Sequence, residues 1–236
     1  MGTQQVGRLP VRTCGRDVSK VFARSASALL AVVMLASCSS GEPEAKTEQS
    51  CGITPASEET VLLQGILRAK EFESLTYNST DEVAAGLRRA LPEVSPEKHM
   101  PPKSTCALWP VGDNGGDRVT FRFGWVSRTS REAEQPLVDG APFQVGEGAR
   151  GQANDTDTSL FVGCEMPGEL SGPSKSAWFH AKASRNNRPP RTDIDQTVRD
   201  QQTALTYLMA RRVTAALGCE NNPLAAPPVV KPLPTP

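Results

Sequence analysis

Apolar positions recur at helical spacing in three stretches of the chain. In residues 54–72, TPASEETVLLQGILRAKEF, Val61, Leu62, Ile66, Ala69 and Phe72 fall along one face, with Ser57 as a cap and acids in the first turn. In residues 78–92, NSTDEVAAGLRRALP, Ser79 and Glu82 form a capping-box pattern, Val83, Leu87, Ala90 and Leu91 make the buried side, and Pro92 ends the helix. The longest pattern covers 192–218, where Ile194, Val198, Leu205, Leu208, Val213 and Leu217 share a stripe and Gly218 is placed as a C-terminal cap. All three stripes read as packing surfaces.

Between the second and third helical stretches the period changes to two. RVTFRFGWV puts Val119, Phe121, Phe123 and Trp125 on one face, and SLFVGCEM alternates Leu160, Val162, Cys164 and Met166. SAWFHAKAS and TCALWPV are shorter strand candidates. Cys106 precedes Phe121 by fifteen residues and Cys164 precedes Phe179 by the same interval, an internal echo of two hairpins. The expected fold is therefore α+β: an antiparallel sheet of about four strands, two N-terminal helices and one long C-terminal helix.

Composition divides the chain further. Residues 1–25 carry Arg8, Arg12, Arg16, Lys20 and Arg24 against Asp17 alone, and residues 26–36, ASALLAVVMLA, are eleven positions without charge. A membrane-spanning helix needs about twenty apolar residues. A basic segment, a short apolar segment and small residues in that order describe an export signal instead. Removal of residues 1–37 leaves 21 basic against 25 acidic residues, a net charge of −4. That balance argues against nucleic acid as a partner. Residues 39–50, SSGEPEAKTEQS, read as a flexible tether, and residues 223–236, with six prolines in fourteen positions, as a disordered or polyproline tail. The 169 residues from Cys51 to Cys219 suffice for one domain, expected over 51–220.

Six cysteines stand at 14, 38, 51, 106, 164 and 219. The last four, an even number in a segment bound for an oxidising compartment, point to two disulfides, and their spacings of 55, 58 and 55 residues lack the C-x-x-C pairs of zinc sites. The hairpin echo favours Cys106–Cys164 between the hairpins and Cys51–Cys219 between the terminal helices, one of three possible pairings. The segment Leu35-Ala36-Ser37-Cys38 resembles the lipobox of bacterial lipoproteins. That resemblance, confined to residues 1–38, implies cleavage before Cys38, a diacylglyceryl group on its sulfur and a place on the outer face of the cell membrane. Two acyl chains anchor stably where one holds only marginally.

Candidate chemistry is sparse. The two histidines, His99 in a loop and His180 on a strand, have no G-x-S-x-G elbow to serve. Ser95 and Lys98 fit S-x-x-K without its companion motifs, a chance match. Asp113 and Asp117 in GDNGGD, and Asp155 and Asp157 in NDTDTS, resemble calcium loops but lack the later bidentate glutamate; a hairpin turn explains the first and a solvated loop the second. No metal or other cofactor is implied. Lys182, Arg185, Arg188 and Arg191 form a basic cluster that reads as a solvated loop or as a contact to anionic surfaces. Three functions stay open: a binding domain for an envelope ligand or protein, a tethered hydrolase using His180 with a loop acid, and a structural envelope component.

Overall fold

The computed structural model describes residues 50–97, 100–113, 116–133, 135, 137–138, 140–145, 148–186, 196–227 and 229–230. Cys38, His99, Arg188 and Arg191 lie outside them. The helices are α1 (Glu58–Leu67), α2 (Thr80–Ala90), α3 (Ser171–Ser176) and α4 (Gln196–Leu217). The strands are β1 (Phe72–Thr76), β2 (Met100–Pro110), β3 (Arg118–Ser127), β4 (Ala141–Val145), β5 (Ala149–Ala153), β6 (Asp157–Val162), β7 (Ala177–Asn186) and β8 (Val229–Val230).

All eight strands join one antiparallel sheet in the order β1-β2-β3-β7-β6-β5-β4-β8. The expectation of an α+β fold on about four strands is thereby corrected. The four segments recognised by alternation are its contiguous centre, β2-β3-β7-β6. Four strands, β1, β4, β5 and β8, lie outside that alternation. In β5, Ala149, Gly151 and Ala153 supply small residues where a strand normally shows branched or aromatic ones, and Pro142 stands inside β4. Small residues are needed in β5: a Cβ on Gly151 would clash with the ring of Phe143 on the neighbouring strand.

The first helix is also shorter than its pattern. Ser57 caps it, accepting from the Thr60 N–H at 3.3 Å, but Arg68 adopts a left-handed conformation (φ 51°) and the chain leaves as β1, so Phe72 belongs to a strand. Its buried apolar residues are Leu63, Ile66 and Leu67, whereas Val61 is 61% exposed. The second helix forms as read: Ser79 Oγ accepts from the Glu82 N–H at 3.2 Å and Glu82 Oε2 accepts from the Ser79 N–H at 2.8 Å. Gly218 follows α4 with φ 75°, as its cap position required.

α1, α2 and α4 pack together over one face of the sheet. The core between them holds Phe121, Phe123, Trp125, Leu160, Phe179 and Leu205. Phe179 stacks on Phe123 at 5.9 Å between centroids and meets Trp125 edge-on at 5.8 Å. Trp125 Nε1 donates to the Leu87 carbonyl at 2.9 Å, tying the sheet to α2. The opposite face carries the segment between β3 and β4, whose Ala133 packs with Val126, Phe161 and Trp178 in a smaller cluster.

The cysteines pair as Cys51–Cys106 and Cys164–Cys219, with Cα atoms 5.8 and 5.1 Å apart, which corrects the expected pairing. Cys106 lies on β2 and Cys164 just beyond β6, and β3 and β7 run between those strands. Three inter-strand spacings are about 14 Å, whereas a disulfide spans Cα atoms only up to about 7 Å apart. Each cysteine instead meets the terminal segment next to it: the turn at Ser50–Gly52 for Cys106, the end of α4 for Cys164.

Candidate functional site

A pocket of about 320 Å³ opens where the first turn of the domain, the end of β1, the start of α2 and the middle of α4 converge. Its apolar wall comes from Val83 on α2, Phe123 on β3, Met209 and Val213 on α4, and the Cys51–Cys106 disulfide. Thr76, Asn78, Ser79, Thr80 and Thr105 contribute hydroxyl and amide groups. The Thr105 hydroxyl donates to the Phe121 carbonyl at 3.1 Å, and the Ser79 hydroxyl is occupied in capping α2. Arg212 is the one charged lining residue, and its guanidinium is ion-paired with Glu59 and donates to the Gly52 carbonyl. The site thus joins an apolar interior to a polar, internally neutralised rim, which suits an apolar group entering from water.

His180 lies elsewhere, on the sheet face away from the helices. It is 4% exposed, its ring stacks on Phe161 at 4.4 Å, and Nε2 is 2.7 Å from Ser159 Oγ. Nδ1 is buried without a partner, so no carboxylate orients the ring as a serine–histidine–acid triad requires. Burial, and secondarily the charge of Lys182, lower its pKa from 6.5 to about 4. In that window the unfolded chain binds a proton that the native state excludes, so stability falls as pH drops from about 6.5 to about 4, by about 3 kcal/mol in total. Urea denaturation across this range should show the loss, and His180→Gln should remove that share of the slope.

Of the basic cluster, Lys182 and Arg185 are among the described residues, and Arg188 and Arg191 lie outside them. Lys182 and Arg185 are on β7, not in a loop. Lys182 pairs with Asp157 at 3.3 Å, half-exposed. Arg185 is buried on the helix side, its Nε and Nη2 donating to the two carboxylate oxygens of Asp117 at 3.2 and 2.7 Å. It therefore has no free face for an anionic surface.

The two acidic loops are turns. Asp113 accepts from the N–H groups of Gly116 and Asp117 at 2.8 and 3.1 Å, and Asn154 Oδ1 accepts from those of Thr156 and Asp157 at 2.8 and 2.6 Å. Among the described residues no cluster of three histidine, cysteine or acidic side chains is placed to hold a metal ion.

These features define a single helix-backed antiparallel sheet with a mixed apolar and polar pocket at one end. Comparisons with known proteins found no matching family, no matching curated protein and no matching solved structure. The pocket was not readable from sequence because its walls come from five separate segments of the chain. Only the capping box at Ser79 and Glu82 marked one of its edges.

Proposed function

We propose that the chain is the precursor of a lipoprotein anchored through Cys38 to the outer face of a bacterial cell membrane, and that its domain binds a ligand or protein partner without catalysing a reaction. The anchor rests on the order of basic segment, apolar segment and lipobox in residues 1–38. Two disulfides suit an oxidising compartment. Among the described residues no helix is long and apolar enough to cross a membrane.

The observation that carries the binding reading is the pocket itself. It supplies apolar contact and neutral polar groups, and its lining offers no free carboxylate, imidazole or thiol for proton transfer or nucleophilic attack. The hydrolase alternative draws on the 2.7 Å contact between Ser159 and His180. That pair is buried, has no orienting acid and sits outside the pocket.

The dye 1-anilinonaphthalene-8-sulfonate tests the reading. It should bind the native protein saturably at one site. Val83→Trp, which fills the pocket from α2, should weaken that binding at least tenfold without lowering the melting temperature. Binding that ignores Val83→Trp, or no saturable binding, contradicts the proposal. A hydrolytic activity on envelope material that disappears in a folded His180→Gln variant would favour the hydrolase.

A further inference from the structure

The pocket opens beside β1, and β1 is an outer edge of the sheet. The geometry points to an extended peptide segment of a partner protein as the ligand, pairing its backbone with β1 and placing one apolar side chain in the pocket. This inference rests on the reading of the domain as a binding module.

The hydrogen-bond phase of β1 carries the argument. The Tyr77 N–H donates to the Thr105 carbonyl at 2.9 Å and the Val111 N–H to the Glu71 carbonyl at 3.2 Å, and the pairs between them, from Phe72↔Pro110 to Thr76↔Cys106, keep the same register. In an antiparallel ladder, residues bonded to the neighbouring strand alternate with residues whose groups face the other way. Residues 71, 73, 75 and 77 therefore bond to β2. The N–H and C=O groups of Phe72, Ser74 and Thr76 face outward, where the sheet ends. Among the described residues no backbone group outside the ladder pairs with them.

A row of donors and acceptors at two-residue spacing is matched by another extended backbone. β1 also lacks two of the features that blunt such an edge. It has no proline and no bulge, and Leu75 and Tyr77 beside it are 47% and 48% exposed. The side chains of the outward-facing residues point to the helix side of the sheet: Phe72 packs against the core, and Thr76 lines the pocket. A peptide residue opposite Thr76 has its side chain on the same face. It is thereby directed towards the apolar wall made by Val83, Phe123, Met209 and Val213. Charge adds selectivity. Of the exposed charged residues along β1 and the first turn of α2, Lys70, Glu71, Glu73, Asp81 and Glu82, four are acidic, which favours a peptide with basic residues beside its apolar anchor.

The probe is a fluorescein-labelled seven-residue peptide with lysine at both ends, threonine elsewhere and leucine, phenylalanine or aspartate at the centre. Binding to the full chain is read by fluorescence anisotropy. The leucine and phenylalanine peptides should bind saturably, at least tenfold more tightly than the aspartate peptide. N-methylation of alternate backbone nitrogens in the leucine peptide should weaken binding at least tenfold. Ser74→Pro should do the same, because it removes an outward-facing N–H that the fold does not use. The methylated peptide carries the test unaided if that variant unfolds. Indifference to both backbone changes, or no saturable binding of any peptide while the naphthalene dye still fills the pocket, overturns the peptide inference and leaves the binding domain standing. Failure of dye and peptides alike overturns both.

Discussion

Replacing Cys164 and Cys219 together with alanine is expected to lower the stability of the oxidised protein by about 4 kcal/mol, the chain-entropy value for a closed loop of this size. The bridged residues are 55 apart in sequence, as are Cys51 and Cys106. Loop entropy alone therefore gives the two bridges equal weight. Their relation to the proposed binding site differs, since Cys51 and Cys106 line the pocket and Cys164 and Cys219 are not among its lining residues. Urea denaturation of the two double variants should give similar losses, while dye binding should weaken only when Cys51 and Cys106 are replaced. Peptide mapping without reductant should recover Cys51 linked to Cys106 and Cys164 linked to Cys219.

A comparable loss is expected at Asp117. Arg185 keeps only 2% of its side chain exposed, and the two carboxylate oxygens of Asp117 accept from its Nε and Nη2. Asp117→Ala leaves that cation buried and uncompensated, at a cost of about 3–5 kcal/mol. The double variant Asp117→Ala with Arg185→Met should recover much of the loss, because an apolar side chain in the same space carries no desolvation penalty. Thermal and urea unfolding of the single and double variants measure that coupling. A loss below about 1 kcal/mol for Asp117→Ala, the range of an exposed pair, would show that Arg185 reaches solvent.

The same pair shows where sequence reasoning stops. Arg185 and Asp117 are 68 residues apart, and each was read within its own neighbourhood, one as part of a basic loop and the other as a turn. Local pattern gave the central strands because Val119, Phe121 and Phe123 alternate with Arg118, Thr120 and Arg122, and the apolar set faces the core. It gave the start of α2 because the capping box is a contact between residues three apart. It failed at β5, where packing against Phe143 of β4 favours small residues over typical strand formers, and at β4, a five-residue strand that contains Pro142. It failed again at Val61 and Leu63, neighbours on a helix whose apolar residues do not all face one way. The disulfide pairing required the strand order, and the pocket required the meeting of distant segments. Neither is a local property.

Intact mass analysis of the protein recovered from the membrane fraction, followed by fragmentation of its N-terminal peptide, tests the account at its foundation. The predicted result is a chain that begins at Cys38, carries two acyl chains as a diacylglyceryl group on that sulfur, and has no free thiol at Cys51, Cys106, Cys164 or Cys219. A chain that retains residues 1–37 with Cys38 unmodified and the later thiols free would contradict it.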